Sequence, residues 1–249
     1  MSNYQIIKDE EKLKEFIHWL PELLPNEQYY ITLLARKKYN KSFNFKQDKN
    51  QLKRVTATKD RIIHKLRQME CEVGSYTFEG EPIPQDNLCV YITPNPRDLH
   101  KSSFNLLAEM SRKLRDGDTM FNPHSLALNV IQTTSSRKIY FDTDIDFKRG
   151  KEFFEQDFEK FSYNIQYYVN RDALTCVRTN GGVHCLIELQ KIKEEYSKSW
   201  YNKISKMSCE EYDVTMNSDN LIPIPGCVQG IDFTPYFISV IDMSLYIAH

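Results

Sequence analysis

No run of apolar residues in this sequence approaches the length needed to cross a bilayer. The opening stretch, MSNYQIIKDEEK, lacks the apolar core of a secretion signal. No membrane attachment is therefore expected, and a cytoplasmic or nucleoid-associated location is. None of the six cysteines (Cys71, Cys89, Cys176, Cys185, Cys209, Cys227) forms a CxxC pair, which argues against a zinc ribbon and against disulfide staples. Cys89 and Cys185 sit in strand-like runs and read as small core residues. A GxxxxGK(S/T) phosphate loop is missing, so an ATP-driven motor is not encoded. Internal repeats and low-complexity tracts are missing too.

What remains is an ordinary globular composition. The 249 residues are 41% apolar and 27% charged, enough to bury a sizeable core in one large domain or two small modules. The net charge of −1 hides an asymmetry. Between Arg36 and Arg67 twelve Lys and Arg face two Asp, so this segment is +10 and the rest of the chain −11. Tyr39, Phe43 and Phe45 lie among the charges. Basic groups interleaved with aromatics suit a single-stranded or primed nucleic acid, through phosphate neutralisation and base stacking. Arg36, Lys37, Lys38, Tyr39 and Lys41 are the candidate contacts. The same composition also fits a solvated basic loop.

Helical spacing predicts helices over Lys8–Leu20 (Leu13, Phe16, Ile17 and Leu20 on one side), Asp60–Met69, Ser102–Leu114 (Phe104, Leu107, Ala108 and Leu114 as the buried stripe), Lys151–Phe161 and Ile192–Met207. Strand-like runs occupy Tyr29–Ala35, Leu88–Thr93, Lys138–Asp146, Ala173–Arg178, Val183–Leu189, Tyr212–Thr215 and Tyr236–Ile241. The irregular alternation predicts an α+β chain in two packed modules, residues 1–130 and 131–249.

Within IYFDTDIDF, Ile139–Phe147, the alternation of a strand puts Asp142, Asp144 and Asp146 on one face and the apolar residues on the other. Aspartate is a poor strand former, and same-face carboxylates repel unless a cation intervenes. Mg²⁺ or Mn²⁺ answers that requirement, and two such ions bridged by carboxylates can clamp the attacking and leaving oxygens of phosphoryl transfer. A plain acidic sheet edge is the bland alternative.

Downstream, LTCVRTNGGVHCLIEL reads as two strands joined at Asn180-Gly181-Gly182, a turn expected to supply positive φ and close backbone approach. Arg178 and His184 bracket it. Backbone N–H groups, a guanidinium and an imidazole can together hold a triphosphate. A plain hairpin with a core histidine is the alternative.

FDTD (Phe141–Asp144) followed by RTNGGVHCLI (Arg178–Ile187) resembles the catalytic core of the archaeo-eukaryotic primase superfamily, the primase small subunits and primase-polymerases. That family carries a DxD strand, then a turn ending in G-x-H, then a third acidic residue near a later strand. EEYDVTMNSDNLIPIPG offers Asp213 for the third element, and the resemblance spans about Arg137–Gly230. It implies an RNA-recognition-motif-like sheet carrying the active site. Asp142, Asp144 and Asp213 would be catalytic metal ligands for a two-metal Mg²⁺ or Mn²⁺ site. Arg178, Thr179, Asn180, Gly182 and His184 would surround the nucleotide. Asp146 falls outside the pair, although an Asp144–Asp146 pairing remains an alternative. The turn departs from the family: T-N-G-G stands where serine and further basic residues are frequent, and LIPIPGC follows where a basic residue is common. Arg97 and the Arg36-Lys37-Lys38 cluster are candidates for the missing charge.

The expected function is template-directed joining of nucleoside triphosphates, dNTP or NTP, to a 3′-hydroxyl on single-stranded or primed DNA, with any helicase or accessory subunit on a separate chain. A metal-dependent nuclease and a non-catalytic single-stranded nucleic-acid-binding module are the alternatives.

Overall fold

A computed structural model describes residues 2–43 and 45–240. The chain forms two units, Met1–Lys138 with Leu221–Thr234, and Ile139–Asn220 with Pro235–His249. The expected division fell at 130/131; this one falls at 138/139, and residues 221–234 return to the first unit. The first unit contributes α1 (Glu10–Trp19), β1 (Glu27–Arg36), β2 (Lys49–Ala57), α2 (Ile62–Arg67), β3 (Thr77–Phe78), β4 (Glu81–Pro82), β5 (Leu88–Ile92), β6 (Arg97–Asp98), α3 (Leu99–Arg115) and α4 (Pro123–Thr133). The second contributes β7 (Tyr140–Phe147), α5 (Phe154–Gln166), β8 (Leu174–Arg178), β9 (Gly182–Glu188), α6 (Trp200–Ile204) and β10 (Tyr212–Asn217). Then β11 (Ile222–Pro223) joins the first sheet and β12 (Tyr236–Ile238) the second. Ile241, the last residue of the expected final strand, lies outside the described residues. The architecture is mixed α and β, with antiparallel sheets, as an α+β chain requires. Among the described residues no helix is long and apolar enough to cross a membrane.

In the first unit β1 is central, flanked by β5 and β2 in the order β11-β5-β1-β2, with β6 beside its N-terminal end. Tyr29, Ile31 and Leu33 alternate on one face of β1 and are buried, as are Leu13 and Phe16 of α1 and Ile62 and Leu66 of α2. Asp9 caps α1, its carboxylate accepting from the Lys12 N–H at 3.1 Å. Gly226 closes the return segment onto that cap: its carbonyl accepts from the Lys8 and Asp9 N–H groups. Its φ is +81°, and a Cβ there would lie 2.3 Å from the Asp9 carbonyl, so only glycine fits.

Nine residues of the basic segment, Lys49–Ala57, are β2, paired along β1 from Tyr29↔Ala57 to Arg36↔Lys49, rather than loop. Lys49, Lys53 and Arg54 disguise it, because an edge strand keeps charged side chains. The helix α4 also went unanticipated, although Asn122 followed by Pro123 is a start signal; the Asn122 side chain accepts from the Ser125 N–H.

The expected buried stripe of α3 is turned outward. Phe104, Leu107 and Leu114 are 61, 63 and 57% exposed, and Ala108 is exposed as well. Ser102 is the buried residue of the helix, and its hydroxyl donates to the Asp98 carbonyl. The spacing marked an amphipathic helix correctly but not which stripe the fold covers. The helix expected over Ile192–Met207 is likewise broken: single turns at Leu189–Lys191 and Glu194–Tyr196 precede a short α6 that starts without a side-chain cap.

Candidate active site

The second unit runs strand–helix–strand–strand–helix–strand from β7 to β10. Its sheet is fully antiparallel in the order β10-β7-β9-β8-β12, so β7 and β9 lie next to each other inside it. Ile145, Val183, Cys185, Ile187 and Tyr212 cluster with Phe158, Phe161 and Ile165 of α5 and Ile204 of α6. That face is the core. Strand alternation then puts the remaining residues on the helix-free face: Asp142, Asp144 and Asp146 of β7, His184 of β9, and Asp213, Thr215 and Asn217 of β10.

The register fixes which of these meet. His184 is directly opposite Asp144. On the other side, Asn217 faces Asp142, Thr215 faces Asp144 and Asp213 faces Asp146. Asp142 is 2% exposed, Asp144 half-buried and Asp146 exposed. A carboxylate that deeply buried needs compensation. His184 provides it: Nδ1 lies 3.0 Å from each Asp142 oxygen and donates to the carboxylate, while Nε2 is 3.9 Å from Asp144 Oδ1. Asn220, just past β10, donates its amide N–H to Asp142 Oδ2 at 2.7 Å. Burial of His184 disfavours its charge, but the Asp142 carboxylate outweighs that, and Asp144 and Asp146 add to it. The imidazole pKa is pushed from 6.5 up to about 9.

Asp213 stands apart. At the spacing of a strand it lies roughly 7 Å along the sheet from the level of Asp144 and roughly 14 Å from that of Asp142. Its side chain is 59% exposed and pairs with Lys148 at 2.8 Å.

The turn closes by its own bonds. The Thr179 N–H donates to the Gly182 carbonyl at 2.9 Å, and the Gly182 N–H donates to Thr179 Oγ1 at 3.1 Å. Neither Gly181 nor Gly182 has positive φ, contrary to expectation. Gly182 is required for close approach instead: a Cβ would lie 1.9 Å from the Ile145 carbonyl of the neighbouring strand. Asn180 is half-buried in the turn. Arg178 does not share a face with His184. It follows Leu174 and Cys176 on the core side, its guanidinium 3.9 Å from the Phe154 ring centre, and it donates to the carbonyls of Thr179 and Gly182. Burial lowers its pKa. Alternation makes the reason plain: 178 and 184 have the same parity, but the cross-strand partner of Arg178 is Val183, so they end on opposite faces.

In the first unit Arg36 is buried and committed. Its Nε and Nη2 donate to Asp48 Oδ2 at 3.0 and 2.7 Å, and Nη1 donates to the Tyr91 hydroxyl at 3.2 Å. Tyr39 shares a 3.3 Å hydroxyl contact with Tyr91, and Lys37 Nζ donates to the Phe45 carbonyl. Phe45 is buried against Phe43 and Phe78 instead of standing ready to stack on a base. Lys38 and Lys41 are exposed. Arg97 is fully buried beside the N-terminal end of β1.

Asp142 and Asp144 are hard oxygen donors on one face, which fits one divalent cation. Among the described residues no group of three or more His, Cys, Asp and Glu is placed to hold a metal, and Asp213 does not complete such a set. Sequence reasoning missed Asn217 and Asn220, because only the register of β10 and the path of the loop after it bring them to Asp142. No protein-family model, curated protein or solved structure matches the chain.

Proposed function

We propose that the second unit carries the active site of a template-directed nucleotidyltransferase, a primase or primase-polymerase joining nucleoside triphosphates to a 3′-hydroxyl. The supporting observation is the constellation on the helix-free face: Asp142 and Asp144 on a central strand, with His184 directly across from Asp144 and hydrogen-bonded to Asp142. The strand order β10-β7-β9-β8 is similar to that of an RNA-recognition-motif sheet. Asp142 and Asp144 would hold a Mg²⁺ or Mn²⁺ ion, which would supply Lewis acidity for the attacking hydroxyl and the α-phosphate. The carboxylates serve as ligands rather than proton acceptors. His184 keeps its Nδ1 proton against Asp142, and its Nε2 N–H on the Asp144 side is available to a phosphate oxygen. Exposed Lys38 and Lys41 take the template backbone by charge.

A denaturing-gel assay on single-stranded and primed DNA with dNTPs or NTPs and Mg²⁺ or Mn²⁺ tests this. Products that extend the primer, and vanish in Asp142→Ala and Asp144→Ala, are expected. Full polymerisation by either variant refutes the assignment, and shortened strands replace it with a nuclease. The commitment of Arg178 to the turn and of Arg36 to Asp48 leaves fewer phosphate-binding cations. DNA that is bound but never extended would replace the transferase with a non-catalytic single-stranded nucleic-acid-binding module.

A further inference from the structure

Three side chains from three stretches of the second unit converge on the Asp142 carboxylate's surroundings, and the third is not an acid. His184 reaches it from β9, Asp144 stands beside it on β7, and Asn220 arrives from the loop after β10. Asp213, on the same β10 that leads into that loop, faces Asp146 instead and is held by Lys148.

The two hydrogen-bonding partners of Asp142 do different things. The imidazole Nδ1 is equidistant from both oxygens, 3.0 and 3.0 Å, so it neutralises the carboxylate without choosing between them. The torsion that rotates a carboxylate about its Cβ–Cγ bond is soft and nearly two-fold. Asn220 breaks that symmetry: its amide sits on Oδ2 alone at 2.7 Å. This fixes the plane of the carboxylate and occupies one oxygen, which leaves Oδ1 as the oxygen with capacity for a cation shared with Asp144.

Resting on the reading of Asp142 and Asp144 as cation ligands, we infer that Asn220, not Asp213, is the third side chain of this site. Asn220 is a positioning residue that orients Asp142 for a single divalent cation, and Asp213 takes no part.

The test is Mn²⁺ binding by the full chain, followed by calorimetric titration and by the loss of the free-ion paramagnetic resonance signal. One ion is expected for the unaltered chain and none for Asp142→Asn. Removing an orienting partner of a ligand weakens metal affinity by about tenfold or more. Asn220→Ala is expected to do that, and Asn220→Gln, which keeps the amide, to recover part of it. Asp213→Asn is expected to leave affinity unchanged. Asn164→Ala is the control for lost stability. It removes an amide of the same kind, donated to the Tyr212 hydroxyl at 3.1 Å on the core side, and should lower the melting temperature without changing the Mn²⁺ affinity. An unaltered affinity in Asn220→Ala, or a lost ion in Asp213→Asn, overturns the inference and leaves the Asp142–Asp144 reading in place. No Mn²⁺ binding by the unaltered chain overturns both.

Discussion

Stability of this chain should fall as pH rises through the mildly alkaline range, and Asp142 should be the cause. His184 is buried, and its folded-state pKa stands at about 9 against an ordinary 6.5. A group whose proton is held more tightly in the folded state stabilises it wherever that proton is retained. The contribution is complete below pH 6.5 and disappears as the pH climbs to 9. A difference between 6.5 and about 9 corresponds to about 3 kcal/mol, a large share of the stability of an ordinary domain. Urea unfolding measured from pH 6 to 9.5 should show that decline. Buried thiols add a loss of their own at the alkaline end, since burial pushes Cys89 up to about 12. The difference between the unaltered chain and Asp142→Asn isolates the imidazole. The variant lacks the carboxylate that holds the proton, so its profile should be flatter by about 3 kcal/mol over the same interval. A nuclear magnetic resonance titration placing the His184 ring below pH 7, or equal pH profiles for both chains, would refute the reasoning.

Four further outcomes concern single side chains. Gly182→Ala puts a Cβ 1.9 Å from the Ile145 carbonyl, forces β7 and β9 apart, and should cost at least ~2 kcal/mol in urea unfolding. Arg178→Ala removes two donated bonds to turn carbonyls and a contact with the Phe154 ring. It should lower stability by about 2 kcal/mol and leave triphosphate affinity nearly unchanged in equilibrium binding; the reverse result would return Arg178 to the nucleotide. Arg36→Ala strips Asp48 and Tyr91 of their partner and should destabilise by about 2 kcal/mol. Lys41→Ala should leave stability within about 0.5 kcal/mol while weakening salt-sensitive DNA binding in fluorescence anisotropy.

Much of the second sheet was legible because β7 and β9 obey strict two-residue alternation. A core face of Ile145, Val183 and Cys185 forces Asp142, Asp144 and His184 onto the other. The same arithmetic fails for Arg178 and Asp213. Which residue lies beside which depends on register, and register is set by the turn and by the neighbouring strand, not by either strand's own pattern. Asp213 is a same-face acid at the wrong level of the sheet, and Arg178 is a strand residue on the core face. Helix α3 shows the corresponding limit for helices, since Phe104, Leu107 and Leu114 fall at helical spacing yet face outward. Periodicity says that a stripe exists; only the rest of the fold says what covers it.

Charge on the helix-free face bears on the two functional readings more directly than the motifs do. Asp142, Asp144, Asp146 and Asp213 bring four carboxylates there, against His184 and Lys148 as cations. Lys148 is already paired with Asp213. A sheet that binds single strands by its surface needs basic groups along the backbone and aromatic faces for the bases; here the neighbours across β10 are Thr215 and Asn217. A polyphosphate approaching this face meets net negative charge unless a cation arrives with it or before it. The site is therefore suited to an anion that comes as its metal complex, as a nucleoside triphosphate does, and unsuited to bare backbone phosphate. Phosphate affinity at this face should accordingly rise with Mn²⁺ concentration. A binding module would show the opposite dependence, since added divalent salt only screens it.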